Sequence, residues 1–146
     1  QLTASLGASY EVLTRVTIDA NYNFNDKLYA GLNPVNFTSS TNKGALELPS
    51  YGLMDAGFSY KMLVGKDKDK SVNFRLNVNN VFNEIYIAEA RTNTFADDNL
   101  PVASGQPAGS KGTYASNGML YDGVANVNTV FFGFGRTWNF TLRYDF

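Results

Sequence analysis

The chain has 146 residues, 12 basic against 13 acidic side chains for a net charge of -1, a mean hydropathy of -0.22, and neither cysteine nor histidine. That balance leaves no electrostatic footprint for nucleic acid, and the missing residue types remove thiolate nucleophiles, histidine triads and ordinary zinc sites. No run of about 18 apolar residues exists, so a transmembrane helix is excluded, while alternating strands, which average to near-neutral hydropathy, remain open.

From about residue 2 to 12, Leu2, Ala4, Leu6, Ala8, Tyr10 and Val12 alternate with Thr3, Ser5, Gly7, Ser9 and Glu11. That is the period of a strand with one apolar face. A tight turn at about 13–15 leads to a second strand, about 16–25, in which Val16, Ile18, Ala20, Tyr22 and Phe24 oppose Thr17, Asp19, Asn21, Asn23 and Asn25. A face of one Asp and three Asn is too polar for the core of a sandwich and suits water. A connection at about 26–48 is rich in Asn, Ser, Thr, Pro and Gly, as loops are. The third strand, about 50–62, sets Met54, Ala56, Phe58, Tyr60 and Met62 against Leu53, Asp55, Gly57, Ser59 and Lys61; a charged turn at about 64–70 follows. The fourth, about 71–82, sets Val72, Phe74, Leu76 and Val78 against Asn73, Arg75, Asn77 and Asn79. Residues 83–128 show little alternation, and a segment of that length is too long for an idle connection.

The last strand, about 130–146, carries the most regular pattern: Trp138, Phe140, Leu142, Tyr144 and Phe146 against Asn139, Thr141, Arg143 and Asp145. A strand stopping on a bare Phe is expected of a barrel's closing strand, since the ends of soluble sheets fray into water. Arg136 shares the parity of the apolar residues, so it is expected either to snorkel to an interface or to be reset by a bulge at Gly133 or Gly135.

The connections run short, long, short, long, as in outer-membrane barrels with periplasmic turns and longer extracellular loops. In that frame Tyr22, Phe24, Tyr51, Phe82 and Phe132 form an outer aromatic girdle, and Tyr10, Tyr60, Phe74, Tyr144 and Phe146 an inner one. Five strands cannot close a membrane barrel, and open edges in hydrocarbon are not viable. The expected fold is therefore all-β, the last five strands of a larger antiparallel transmembrane β-barrel. Gln1 to Ser5 already looks like strand interior, with no signal peptide before it, so a piece of a longer protein is expected.

Leu76-Asn77-Val78-Asn79-Asn80-Val81-Phe82-Asn83-Glu84-Ile85-Tyr86 resembles the NvxNlFNexY segment near the end of TonB-dependent outer-membrane receptors. The Pro49 to Tyr60 segment resembles the preceding strand of that family, in which a Pro-x-Tyr start leads to an Asp and a Tyr. Gly133-Phe134-Gly135-Arg136-Thr137-Trp138 with the terminal Phe146 is similar to its final strand in the form seen in Bacteroidota members, with Thr141 where a Gly is usual. The matches span roughly residues 49–146. The resemblance implies a barrel of about 22 strands in the outer membrane of a Gram-negative bacterium. Such a barrel is plugged by an amino-terminal domain, energised through the TonB complex, and imports a siderophore, haem, cobalamin or an oligosaccharide. The implied partners are outer-membrane lipid, the remaining barrel and plug, the TonB complex, and the barrel-assembly machinery through the last strand. A surface lipoprotein lid is an open addition to that set.

Candidate chemistry is sparse. Asp67-Lys68-Asp69-Lys70 lacks the glycine and distal Glu of a calcium loop and is read as a solvated turn. Asp97-Asp98-Asn99 offers oxygen donors but is read as a polar loop tip. Tyr114 and Tyr121 either stack on a substrate at the barrel mouth or pack within a compact loop. Arg75, Asn77, Asn79 and Arg143 are expected to face the lumen, and Trp138, Phe140, Tyr144 and Phe146 to anchor the wall and guide assembly. Ser and Asp occur without a suitable general base, so no catalytic residue, cofactor or metal site is expected. Two rival accounts are a passive channel or adhesion barrel, and a soluble β-sandwich whose loops bind carbohydrate. The second requires the apolar face to pack on another sheet.

Overall fold

The computed structural model describes residues 1–31 and 43–146. Among these there is no helix, and the chain is all-β with antiparallel pairing. Eleven strands run in order: β1 (Leu2–Leu13), β2 (Val16–Asp26), β3 (Leu28–Tyr29), β4 (Glu47–Leu48), β5 (Tyr51–Val64), β6 (Lys70–Asn79), β7 (Ile87–Ala90), β8 (Leu120–Tyr121), β9 (Val124–Ala125), β10 (Val130–Phe132) and β11 (Thr137–Asp145). The chain divides into two compact units, a sheet unit of residues 3–25, 51–85 and 134–146 and a loop unit of residues 1–2, 26–50 and 86–133.

The sheet unit is one sheet of the five long strands in the order β1-β2-β5-β6-β11. The register is unbroken: Ile18 pairs with Phe58, Phe58 with Leu76, and Leu76 with Phe140. Partners always share parity, so five separate alternations add up to one apolar and one polar face. β1 and β2 are joined at Thr14–Arg15, where Arg15 takes a φ of 69° and its N–H donates to Glu11 Oε1 at 2.7 Å. β5 and β6 are joined by the charged turn at 65–69, closed by the Lys68 N–H donating to the Gly65 carbonyl at 3.3 Å.

Two expected strands end differently. β6 stops at Asn79 instead of running to about 82, because Asn80 adopts a left-handed φ of 50°, a conformation a strand cannot continue through and one Asn tolerates better than most residues. The expected strand at about 130–146 is two strands. β10 pairs with β7, β11 pairs with β6, and residues 133–136 lie between them outside any strand. Arg136 therefore belongs to neither face; its N–H donates to Asn83 Oδ1 at 2.9 Å.

The loop unit holds the short strands and a core of its own. Ala30, Leu46, Leu48, Ile87, Ala90 and Val124 are buried together, with Leu28, Phe95 and Val130 packed against them. Part of the first long connection, residues 32–42, lies outside the described residues. The rest is tied to the second long connection by Gly31 N–H donating to the Ala90 carbonyl at 2.7 Å and by Asn93, whose amide accepts from Leu46 N–H at 2.5 Å and donates to the Gly44 carbonyl at 2.6 Å. The buried Asn128 amide accepts from Thr92 Oγ1 and Thr94 N–H and donates to the carbonyls of Thr94 and Ala125. The second long connection thus has the buried contacts and satisfied polar groups of a small folded unit.

Candidate functional site

The two faces of the sheet differ in chemistry over most of their length. On the even-numbered face the side chains of all five strands are apolar or small over most of the strand length. Tyr60 stacks on Phe74 at 6.3 Å, Phe74 lies 6.3 Å from Phe140, and Tyr144 stacks on Phe146 at 6.1 Å. Leu6 is 78% exposed and Trp138 72%, and Phe58, Leu76, Phe140, Leu142 and Tyr144 are exposed as well. Every buried hydrophobic residue among the described residues belongs to the loop unit. An apolar surface that runs across five strands, with nothing among the described residues packed on it, is the kind that marks a surface covered by a partner or by lipid.

The odd-numbered face is a lattice of side-chain hydrogen bonds. Thr3 Oγ1 and Ser5 Oγ donate to the amide oxygens of Asn25 and Asn23, Asn77 Nδ2 donates to Asn139 Oδ1 at 2.9 Å, and Asn79 Nδ2 donates to Thr137 Oγ1 at 3.1 Å. Arg75 grips Asp19 with two parallel contacts of 3.1 and 3.2 Å, the bidentate geometry that makes guanidinium–carboxylate pairs specific. The two residues sit on strands that are not neighbours; β5 runs between them. Gly57 makes the contact possible, since a Cβ at that position would overlap the Asp19 carboxylate. Arg143 holds Asp145 in the same bidentate way at 3.0 and 3.1 Å, and Asp145 also accepts from Asn73 Nδ2 at 2.6 Å. Toward the short-turn end this face contains a depression of about 510 Å³ between Glu11, Arg15, Lys61, Arg75 and Arg143.

Arg75, Asn77, Asn79 and Arg143 therefore stand on one polar face, each with a partner there, and Trp138, Phe140 and Tyr144 stand on the opposite one. Phe146 follows the end of β11 and extends the aromatic row through its stack on Tyr144. Sequence reasoning missed the partners: Asp19 for Arg75, Asn139 for Asn77, and the small residue that lets the first pair meet. The shared parity of Asp19 and Arg75 was the available signal, but 56 residues separate them.

Where β6 ends, Asn80 organises the motif singled out in the sequence. It is 4% exposed. Its N–H donates to Asp55 Oδ1 at 2.9 Å, its amide donates to the carbonyls of Glu84 and Phe134, and its amide oxygen accepts from the Glu84 N–H. Asn83, with a φ of 56°, accepts from the Arg136 N–H. The Asn-rich motif is thus a turn that ends β6 and receives the chain as it enters β11, with Asp55 of β5 contributing from the third strand.

In the loop unit Tyr114 and Tyr121 have different settings. Tyr114 is 5% exposed and lies inside the unit, whereas Tyr121 is 45% exposed and meets Phe132 edge to face at 5.4 Å. Asp97 and Asp98 do converge, and Lys43 Nζ sits 2.7 Å from a carboxylate oxygen of each. Lys43 also lies 5.4 Å from the centre of the Phe95 ring. The hydrogen bonds to Asp97 and Asp98 hold the Lys43 amine above its ordinary pKa, and the hydrogen bond from Lys43 holds the Asp97 carboxyl below its own. Among the described residues no group of three or more acidic, His or Cys side chains could hold a metal ion. Comparison with protein families, with curated proteins and with solved structures finds no match to this chain.

Proposed function

We propose that this chain forms five strands of the wall of a transmembrane β-barrel, namely the segment near the end of a TonB-dependent outer-membrane transporter. That protein would import a siderophore, haem, cobalamin or oligosaccharide with energy from the TonB complex. The observation that carries the proposal is the pairing of an exposed, aromatic-rich apolar face with a hydrogen-bonded polar face across one sheet in continuous register. Lipid on one side and a wet lumen on the other satisfy both faces at once. The strand lengths of 12, 11, 14, 10 and 9 residues bracket the roughly 9–11 residues that a tilted strand needs to cross a bilayer. Both long connections leave one end of the sheet and both short turns lie at the other, which is the asymmetry of outer-membrane barrels. The choice of family rests on the resemblance of the Leu76–Tyr86, Pro49–Tyr60 and final-strand segments. In such a barrel the two sheet edges, β1 and β11, pair with strands of the rest of the protein.

Single cysteines at Leu142 and Arg143 of the complete protein, with any cysteine outside this chain replaced by Ser, can carry a polarity-sensitive fluorophore. In membranes the first is expected to report hydrocarbon and the second a polar surrounding. Equally wet signals, or a protein found only in the soluble fraction, overturn the membrane assignment. Planar-bilayer conductance separates the transporter from a passive channel: a plugged barrel gives no steady current, and a persistent open pore would remove the transporter while leaving the barrel.

A further inference from the structure

The loop unit contains a half-open cavity of about 210 Å³ that none of the barrel chemistry uses. Its floor is aliphatic, formed by Ile87, Val124, Ala125 and Val130, and its walls are the rings of Tyr121 and Phe132. The rings stand at 86° to one another. Phe132 is 50% exposed, comparable to Tyr121, so an edge-to-face aromatic pair with much of its surface uncovered borders an aliphatic floor.

The local fold holds both walls in place. Tyr121 ends β8 at a two-residue turn in which Asp122 and Gly123 take φ values of 47° and 81°, the left-handed pair that sets a tight hairpin. Phe132 lies beyond a register shift in the β7–β10 ladder, where Phe131 pairs with Glu89 but Phe132 pairs with Ile87. Such bulges re-aim side chains. Phe131 lies under the Arg91 guanidinium, 4.6 Å from it, and Phe132 meets Tyr121.

The polar groups at the cavity divide in two. The Asn128 amide is committed to four hydrogen bonds inside the unit and has nothing left for a ligand. The Asn126 side-chain amide and the Tyr121 hydroxyl take part in no hydrogen bond among the described residues. No charged side chain lines the cavity, so an ionic group brought against its floor would lose hydration without gaining a counter-charge.

We infer that this cavity is a binding site for one uncharged six-membered ring that carries hydrogen-bonding substituents at its edge, whether a neutral sugar unit or an uncharged aryl group. The space is adequate, since a cavity of about 150 Å³ accommodates benzene. A flat ring stacks on one wall and meets the edge of the other, as aromatic geometry favours. Its substituents reach the Asn126 amide and the Tyr121 hydroxyl. The walls are preorganised by the hairpin and the bulge, so little ordering is lost on binding. The site lies wholly within the loop unit and does not depend on the membrane proposal.

Saturation-transfer NMR on the complete purified protein tests the site with three probes: maltose, benzyl alcohol and sodium benzoate. Transfer to the ring protons of maltose identifies a sugar site, and transfer to benzyl alcohol alone identifies an aryl site. Either supports the inference, provided that Tyr121→Ala and Phe132→Ala each raise Kd roughly threefold to tenfold, the worth of one aromatic contact. Tyr121→Phe, which keeps the ring wall and removes only the hydroxyl, is expected to raise Kd by less than Tyr121→Ala does. Three results overturn the inference: no transfer to either neutral probe, binding unchanged in both alanine variants, or benzoate binding as tightly as benzyl alcohol. The fluorophore experiment reads different residues, so each proposal can fail while the other stands.

Discussion

Gly57 marks the place where a carboxylate crosses a strand. With any side chain there, Asp19 would have to swing away from Arg75, and the bidentate pair would be lost. The pair is partly exposed, so its loss is worth about 1 kcal/mol at most, and the two positions should couple. Gly57→Ala in the native background is expected to lower stability by about that amount. In an Asp19→Ala background the same change is expected to be neutral or mildly stabilising, because Ala in a strand costs less chain entropy than Gly. Unfolding of the four proteins of that cycle measures the coupling; additive effects would show that Gly57 serves some other purpose. Asn80 illustrates a different kind of residue. The Asn-rich motif was visible in the sequence, but its role as a buried hub for β5, the turn and the start of β11 was not, because its partners Asp55 and Phe134 lie 25 and 54 residues away.

At the scale of elements, the five long strands were legible because each carries its period in its own residues. β1, β2 and β5 extend one or two residues beyond their expected carboxy-terminal ends, and β6 ends early at a backbone conformation that no alternation of side chains reveals. The second long connection was legible only as something other than a strand. Its folded character depends on links between distant short segments, among them the clamp of Lys43 on Asp97 and Asp98. Lys43 and Asp97 both titrate with shifted values. Because Asp97 is shifted down, its contribution is present above the ordinary carboxylate value of 3.8 and is lost as pH falls through the lowered folded value. Because Lys43 is shifted up, its contribution is present below the ordinary value of 10.5 and is lost as pH rises through the raised one. Hydrogen exchange corrected for intrinsic rates is therefore expected to show peptides around Lys43–Leu48 losing protection below pH 3.8 while those of β5 and β6 retain theirs. Lys43→Met is expected to show the low protection already at neutral pH. Protection that does not change with pH or with the substitution would mean that Asn93 and the aliphatic core hold the segment without the ion pairs.

At the scale of the molecule, the two long connections share one end of the sheet and the two short turns share the other. In an outer-membrane barrel that polarity has a direction. Cysteines introduced between Gly105 and Gly112 are expected to react with an impermeant maleimide on intact cells, and cysteines at Asp67–Lys70 only after the outer membrane is opened. The reverse pattern would invert the orientation, and reaction at both sites on intact cells would argue against an embedded wall. The rival soluble sandwich requires a partner sheet on the apolar face, and that face is exposed across all five strands.

By itself the sequence determined the number of long strands, the parity of their apolar side chains, and the alternation of short and long connections. Those features are local: a period of two and a cluster of turn residues are written in consecutive positions. Only the tertiary structure decided what depends on residues far apart in the chain. It brought Asp19 to Arg75 over Gly57, divided the last expected strand between two pairing partners, buried Tyr114, and left Tyr121 beside Phe132 at the mouth of a cavity. Those outcomes depend on strand register and on side-chain space across neighbouring strands, which the pattern within any one segment does not contain.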